Sequence, residues 1–206
     1  PLSVLTYSTA TLRTTRIHRN TIVAFKTRVL LHMNDFDGVM TEAAKIVPAT
    51  APFVAPTGVA NALNPSFANI WVAYTSNESI FSMPFTTTDL PGTQNGLAHY
   101  NHPSSSESYY LNVAAGTAFA NLDATDARRA IFQTGTVSGS TRYFVGKWTT
   151  YTSHIDYAPV LRYAEVLLNY AEAIVRDGDA VTQQAVDLLN AVRTRSFPAG
   201  DYELAD

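Results

Sequence analysis

The sequence predicts a mostly α fold built of tetratricopeptide-like helical hairpins, an α-α superhelix, with a long irregular, loop-rich insertion between two of the hairpins. Two observations lead to this class. Apolar residues recur at helical spacing in two pairs of neighbouring segments, and the stretch between the pairs is rich in Thr, Ser, Asn, Gly, Pro and Tyr. We expect a single domain over residues 1–206, with hairpins at 17–47 and 158–198 and the insertion at 48–157.

The first hairpin starts with a predicted helix from Ile17 to Met33, which contains few helix-breaking residues. The turn at 34–37 supplies capping side chains, and Pro48 closes the second helix. Apolar side chains of that second helix share one face: Phe36, Val39, Met40, Ala43 and Val47. Two helices joined by a short polar turn leave an apolar face that another pair can cover.

The second hairpin is predicted near the end of the sequence. Its first helix carries one apolar stripe: Leu161, Ala164, Leu168, Ala171 and Val175. The segment 177–179 is expected to stop this helix, with Gly178 in the position that tolerates a positive φ. The partner helix follows from Val181 to about Phe197, and Pro198 ends it.

The insertion contains one short extended candidate at 78–85, in which Ile80 and Met83 cannot face the same side of an unbroken strand. The stretch from Thr86 to about Leu122 has almost no periodicity. Irregular loops longer than about 12–15 residues are usually functional or disordered. Because aromatic residues are frequent in this part of the sequence, we expect it to be functional.

Composition excludes several classes of site. A formal charge of −3 offers no electrostatic footprint for nucleic acid, and no apolar run approaches the roughly 20 residues of a membrane helix. Without cysteine there can be no disulfide, thiolate zinc site, iron–sulfur cluster or cysteine nucleophile. The charged fraction of 15% is low, which predicts a neutral polar surface suited to uncharged ligands such as sugars.

No catalytic residue is predicted. Glu165 and Glu172 are two helical turns apart, about 10.5 Å along the axis, whereas glycosidases place their carboxyl groups roughly 5–9.5 Å apart. An ion network with nearby arginines is the expected role of both acids, and its candidate members are Arg162, Arg176, Arg193 and Arg195. The segment 137–140 lacks the first glycine of a nucleophile elbow.

Metal and cofactor sites are not predicted either. His99 and His102 would supply only half of a metal site, and no acidic cluster adjoins them. Asp126 is expected to cap a helix or turn, with Arg128 paired to a carboxylate.

The aromatic residues are the best candidates for ligand contact, since an exposed ring stacks on the apolar face of a pyranose. Trp71 has periodic apolar neighbours and is expected in the core. The candidate binding residues stand in polar surroundings: Tyr100, Tyr109 and Tyr110, with His99 and Asn101 as polar neighbours, and Trp148.

Several segments of the sequence also carry motifs that resemble those of one known protein family. Residues 158–173, APVLRYAEVLLNYAEA, followed by LLNAVRTR at 188–195, resemble the C-terminal signature of the SusD/RagB family of nutrient-binding proteins. Residues 24–33, with Asp37 and 43–47, resemble the tetratricopeptide pair of that family, and 77–81 and 126–129 resemble shorter motifs in the same order. The tyrosine-rich loop between 89 and 120 lies outside the resemblance.

The resemblance implies that the chain is the C-terminal part of a lipoprotein on the bacterial outer-membrane surface. Such a protein captures oligosaccharide or polysaccharide nutrients, without cleaving them, and delivers them to a SusC-like TonB-dependent transporter. The lipidated cysteine has no counterpart in this sequence, so the location is implied by the family alone. Two alternatives remain open: a helical-repeat scaffold for protein interactions without glycan binding, and a glycoside hydrolase.

Overall fold

A computed structural model describes residues 9–72, 74–92, 96–104 and 109–204. The chain divides into two compact units. We call Pro1–Ser82 with Pro159–Asp206 the helical unit and Met83–Ala158 the loop-rich unit. Apart from Ala158, the loop-rich unit lies inside the insertion predicted at 48–157, whereas 48–82 belong to the helical unit.

The helices and strands follow one another in this order along the described residues: α1 (Ala10–Thr15), α2 (Arg19–His32), α3 (Phe36–Ala43), α4 (Asn69–Val72), β1 (Ser79–Met83), α5 (Leu97–Asn101), β2 (Phe132–Val137), β3 (Ser140–Val145), β4 (Ala158–Arg162), α6 (Tyr163–Gly178) and α7 (Gln183–Thr194). Short 3₁₀ turns lie at Ala127–Ile131 and Pro198–Gly200. In the part of the chain that the structure describes, no helix is long and apolar enough to cross a membrane.

The first predicted hairpin is confirmed as α2 and α3, which pack on each other. Between them Asn34 adopts a left-handed conformation with φ of 58°, and Asp35 caps α3 by accepting a hydrogen bond from the Gly38 N–H at 3.0 Å. The second helix ends at Ala43, earlier than the predicted boundary at Pro48, and turns carry the chain onward.

The second hairpin is confirmed as α6 and α7, but its predicted start was wrong. Leu161 lies in strand β4, which pairs with β1, and α6 begins only at Tyr163. Pro159 biases the residue before it towards extended backbone, and the Tyr163 N–H donates to the Glu78 carbonyl at 2.9 Å. A contact with a distant segment of the chain therefore decides where the helix starts.

Leu161, Ala164 and Ala171 of the predicted stripe are buried as expected, but Leu168 is not. Leu168, assigned to the predicted stripe, is 39% exposed, whereas Leu167 is fully buried. At the other end, the left-handed residue is Asp179, with φ of 49°, and Gly178 is the last residue of the helix. The predicted role of Gly178 was therefore wrong by one position.

One core cluster holds the helical unit together. It draws on the two hairpins, the loop after α3 and the β1–β4 pair, and its largest fully buried members are Tyr163, Ile46, Ile80, Leu167 and Leu188. The Tyr163 hydroxyl donates to the Ile46 carbonyl at 2.8 Å, and burial raises the pKa of this phenol. Trp71 is buried against Phe67, which confirms its expected core position.

The ion pairs of α6 agree only in part with the predicted network. Glu172 pairs with Arg176 at 2.8 Å, as expected. Glu165 instead receives a bidentate pair from Arg28 of α2, at 2.6 and 2.7 Å, and Arg28 also donates to the Val160 carbonyl. The prediction missed Arg28 because it lies more than 130 residues from Glu165 in the sequence.

A second ionic site lies beneath β1. Glu78 is fully buried and accepts hydrogen bonds from Arg162 at 3.1 Å, from Arg195, and from the Asn64 N–H at 2.8 Å. In the strand that follows, Ile80 is fully buried and Met83 is 53% exposed. This confirms that the two side chains face opposite sides of the extended segment.

His18, at the N-terminus of α2, is a buried imidazole. Its Nε2 lies 3.2 Å from the Ile80 carbonyl oxygen, which only accepts, so Nε2 carries the hydrogen. Burial lowers the pKa of His18 below its ordinary value of 6.5. The folded protein therefore holds this ring neutral at a pH where the unfolded chain protonates it.

We expect a pH-dependent contribution of His18 to stability. Protonation favours the unfolded state, so the contribution is complete above pH 6.5 and declines as the pH falls below that value towards the folded pKa. In urea titrations, the difference in unfolding free energy between wild type and His18→Gln should narrow from about pH 7.5 to about pH 5. A His18 difference that stays constant between these two pH values would contradict this assignment.

Candidate functional site

The loop-rich unit contains a β-hairpin that the sequence prediction of an irregular segment missed. Strands β2 and β3 pair antiparallel, from Phe132 opposite Val145 to Val137 opposite Ser140. The turn residues Ser138 and Gly139 both have positive φ, 50° and 77°, as two-residue hairpin turns require. A Ser-Gly pair flanked by β-branched residues was the available sequence signal for this hairpin.

The hairpin presents two different faces. Phe119 packs on one face, with its ring centroid 5.0 Å from that of Phe132 and 5.1 Å from that of Tyr143. The opposite face carries Arg142 and the fully buried Phe144. Pro103 covers Gly135 on that second face so closely that a Cβ on the glycine would lie 2.4 Å from the proline Cβ. This packing places the chain that follows α5 against the hairpin.

Of the three predicted tyrosines, Tyr110 packs against this second face. We call Tyr100, Tyr109 and Tyr110 together the tyrosine platform. Tyr109 stacks on Tyr100 with centroids 5.3 Å apart and planes 18° from parallel, and its N–H donates to the Tyr100 carbonyl at 2.6 Å. Tyr110 packs edge-on against Phe144 at 6.3 Å. The Leu111 N–H donates to the Tyr143 carbonyl at 2.7 Å and so fastens the segment to β3.

Exposure differs among these rings. Tyr109 is 69% exposed and Tyr110 is 47% exposed, whereas Tyr100 is half-buried beneath Tyr109. Tyr100 thus supports the platform, and the two later rings offer free surface. Stacking in pairs holds each ring in one orientation before any ligand arrives, which lowers the entropy that binding must overcome.

The other predicted residues occupy less open positions. His99 contacts Tyr100 edge-on at 4.8 Å, and its buried Nε2 has no hydrogen-bond partner among the described residues. The amide of Asn101 donates to the Leu97 carbonyl at 3.0 Å, within its own helix. Trp148 is half-buried beyond the end of β3.

Sequence reasoning missed two further features beside the platform. The Arg142 guanidinium lies 4.9 Å from the centroid of Tyr110. His102 stacks on Tyr151 at 5.1 Å with planes 5° apart, and Tyr151 contacts His154 edge-on. Only the register of the hairpin, which alternates residues between its faces, brings Arg142 to the same side as Phe144.

Asp126 behaves as predicted. Its carboxylate accepts from the Arg128 N–H at 2.8 Å at the start of a 3₁₀ turn and pairs side-on with the Arg128 guanidinium. The residues that the structure describes contain no group of three or more His, Cys, Asp or Glu able to hold a metal ion.

A comparison with protein families identifies the chain. A sequence profile of the SusD family, SusD_RagB, matches residues 77–203, more than half of the chain. The chain belongs to the SusD family. No curated protein sequence matches it significantly.

Solved structures agree with the SusD family assignment. A SusD superfamily protein from Bacteroides fragilis superposes with a TM-score of 0.71 at 26% identity, covering 99% of this chain and 43% of that one. Another from Bacteroides thetaiotaomicron gives a TM-score of 0.75 at 19% identity, covering 92% and 44%. The helical hairpins belong to this fold, although the two small sheets and long loops make "mostly α" too narrow a description.

A third solved structure with the same fold contains a bound sugar. Surface glycan-binding protein A from Bacteroides thetaiotaomicron, in complex with laminarihexaose, superposes with a TM-score of 0.67 at 15% identity. The match covers 92% of this chain and 50% of that chain. Across these three structures, the present chain spans half or less of the relative's length.

Proposed function

We propose that this SusD-family chain binds oligosaccharide or polysaccharide nutrients on the tyrosine platform. The observation that carries the proposal is the Tyr100–Tyr109 stack, whose outer ring is 69% exposed. An exposed ring held in place packs against the apolar C–H face of a pyranose, and neighbouring polar groups bind its hydroxyls. The laminarihexaose complex of a protein with the same fold supports a glycan as the ligand.

The proposed partners are the glycan and a SusC-like TonB-dependent transporter that receives it. We place the complete protein on the bacterial outer-membrane surface as a lipoprotein. Membership of the SusD family supports both proposals.

We also propose that α2–α3 and α6–α7 are tetratricopeptide-like pairs of one α-α superhelix, since α3 packs directly on α6.

The proposed activity is binding without cleavage. The two acids weighed as a hydrolytic pair are both held in ion pairs, Glu165 by Arg28 and Glu172 by Arg176. A glycosidase needs one carboxyl that donates a proton and another facing it across the scissile bond. Reducing ends that accumulate above the blank when the protein is incubated with a bound glycan would contradict this proposal.

Removal of the exposed rings should weaken glycan binding. A screen of purified oligosaccharides identifies the ligand, and isothermal titration then measures its Kd with each variant. Tyr109→Ala and Tyr110→Ala should each cost about 1–2 kcal/mol, or roughly five- to thirtyfold in Kd, because each loses a stacking surface. The melting temperature should change little, since both rings are largely exposed.

Tyr202→Ala provides the matched control. Tyr202 is 49% exposed, close to the 47% of Tyr110, but it lies near the end of the helical unit beside Arg193. It should leave the Kd unchanged. Equal affinities for wild type and a variant lacking all three platform tyrosines would place the glycan site elsewhere in the protein.

One observation favours the alternative function, a scaffold for protein interactions. Phe25 and Val29 of α2 and Met33, directly after its last residue, form an apolar row and are 53%, 41% and 67% exposed. Exposed apolar rows of this kind mark protein contacts. A screen in which no glycan binds, combined with a partner protein whose binding is lost in Phe25→Ser, would favour the scaffold.

A further inference from the structure

We propose that the glycan bound by the tyrosine platform carries an anionic substituent, such as a uronic acid carboxylate, and that Arg142 binds this group. The inference rests on the proposed function and narrows its substrate class. Low overall charge favours neutral ligands, yet the structure places one guanidinium directly on the ring of Tyr110.

Arg142 differs from the neighbouring arginines in its partners. Arg128 is paired with Asp126, and Arg129 donates to the carbonyls of Leu122 and Asp123. The side chain of Arg142 makes no hydrogen bond or ion pair to any residue in the described ranges, and its Nε is buried without a partner. Its contact with Tyr110 engages the face of a ring and leaves the N–H donors unused.

Three carboxylates of the loop-rich unit, those of Asp123, Asp126 and Asp156, are bound to other groups. Asp126 binds Arg128, and Asp156 accepts from the N–H groups of Thr149 and Thr150. Asp123 accepts from Thr125. A guanidinium stays charged at every physiological pH, and hydrogen bonds that it donates to an anion are stronger than neutral ones.

Arg142 lies next to the proposed sugar-binding surface. Arg142 and Phe144 share one face of the hairpin, and Tyr110 contacts both side chains. A pyranose that packs against Tyr110 would therefore lie close to the guanidinium that contacts this ring. A carboxylate or sulfate on that sugar would accept two parallel N–H bonds, a geometry that a hydroxyl cannot reproduce.

The test compares two probes that share one backbone and differ in charge, and adds an anionic probe with a different sugar backbone. Tetragalacturonic acid carries carboxylates, its methyl ester is neutral, and a sulfated carrageenan tetrasaccharide supplies the second source of anionic charge. Wild type should bind one of the anionic probes about tenfold more tightly than the methyl ester. Whichever anionic probe binds more tightly identifies the source of the negative charge.

Substitutions of Arg142 test whether its side chain causes the tighter binding of the anionic probe. Arg142→Gln should weaken binding of the preferred anionic probe about tenfold and leave the methyl ester within about twofold. Arg142→Lys keeps the charge but loses the planar fork, so its loss should be intermediate. Arg16→Gln removes one exposed positive charge in the helical unit and should behave as wild type.

The dependence of affinity on salt concentration is an independent test of the charge interaction. Between about 50 and about 200 mM NaCl, affinity of wild type for the anionic probe should fall, and this dependence should be weaker in Arg142→Gln. Equal affinity of wild type for charged and methylated probes overturns the inference while glycan binding stands. Unchanged anion affinity in a folded Arg142→Gln overturns the role of Arg142. Failure of every sugar to bind overturns the proposed function as well.

Discussion

Glu78→Gln should lower the free energy of unfolding by about 3–5 kcal/mol, the loss typical when one partner of a buried ion pair is removed. Glu78 is fully buried, Arg195 is 7% exposed and Arg162 is 29% exposed, so water cannot readily replace the lost carboxylate. The three donors also join β1 to β4, to the end of α7 and to the loop before α4. The substitution should therefore loosen the helical unit as a whole.

Urea denaturation followed by circular dichroism measures this effect. The matched control is Glu172→Gln, because Glu172 also pairs with an arginine but is 47% exposed. That surface pair on α6 should contribute no more than about 0.5 kcal/mol. Similar losses for the two variants would show that burial of Glu78 does not determine its contribution.

The helical hairpins were predictable because their signals are local. Asp35 and Thr182 cap α3 and α7 by accepting hydrogen bonds from backbone N–H groups three residues ahead, a pattern visible in the sequence. Glu78 shows the opposite case. Its arginine partners lie 84 and 117 residues away, so nothing in its sequence neighbourhood distinguishes it from an exposed acid.

The hairpin of the loop-rich unit was missed for a related reason. Its strands are rich in Thr, Ser and Gly, and Phe144 is the one buried residue in β2 and β3. Hydrophobic alternation is therefore weak there, and turn chemistry was the stronger signal. Without the hairpin, the position of Arg142 beside Tyr110 could not be inferred.

The tyrosines of the candidate site were predicted from their polar surroundings, which carry no apolar periodicity. The structure agrees for Tyr109 and Tyr110 but buries part of Tyr100 under Tyr109. Which ring covers which depends on how the loop returns to α5, a matter of tertiary packing. The binding role of the tyrosine platform stays a prediction until the variants are measured.

The face of α6 could not be decided from the sequence because Leu167 and Leu168 are both apolar neighbours. Counting the period from Leu161 favoured Leu168, but β4 ends at Arg162 and the helix starts afresh at Tyr163. With either leucine, the apolar residues of α6 form a continuous stripe at helical spacing. The packing of α6 on α3 and α7 selects the stripe that contains Leu167.

Leu167→Ala should therefore lower the unfolding free energy by about 2–5 kcal/mol, through lost burial and the cavity left in the core. Leu167 is fully buried within the cluster that includes Tyr163, Ile46 and Leu188. Leu168→Ala, the adjacent control, removes a side chain that is 39% exposed and should cost about 1 kcal/mol or less. Thermal and urea unfolding of the two variants compare identical chemical changes one residue apart. A larger loss for Leu168→Ala than for Leu167→Ala would mean that α6 presents the opposite face to the core.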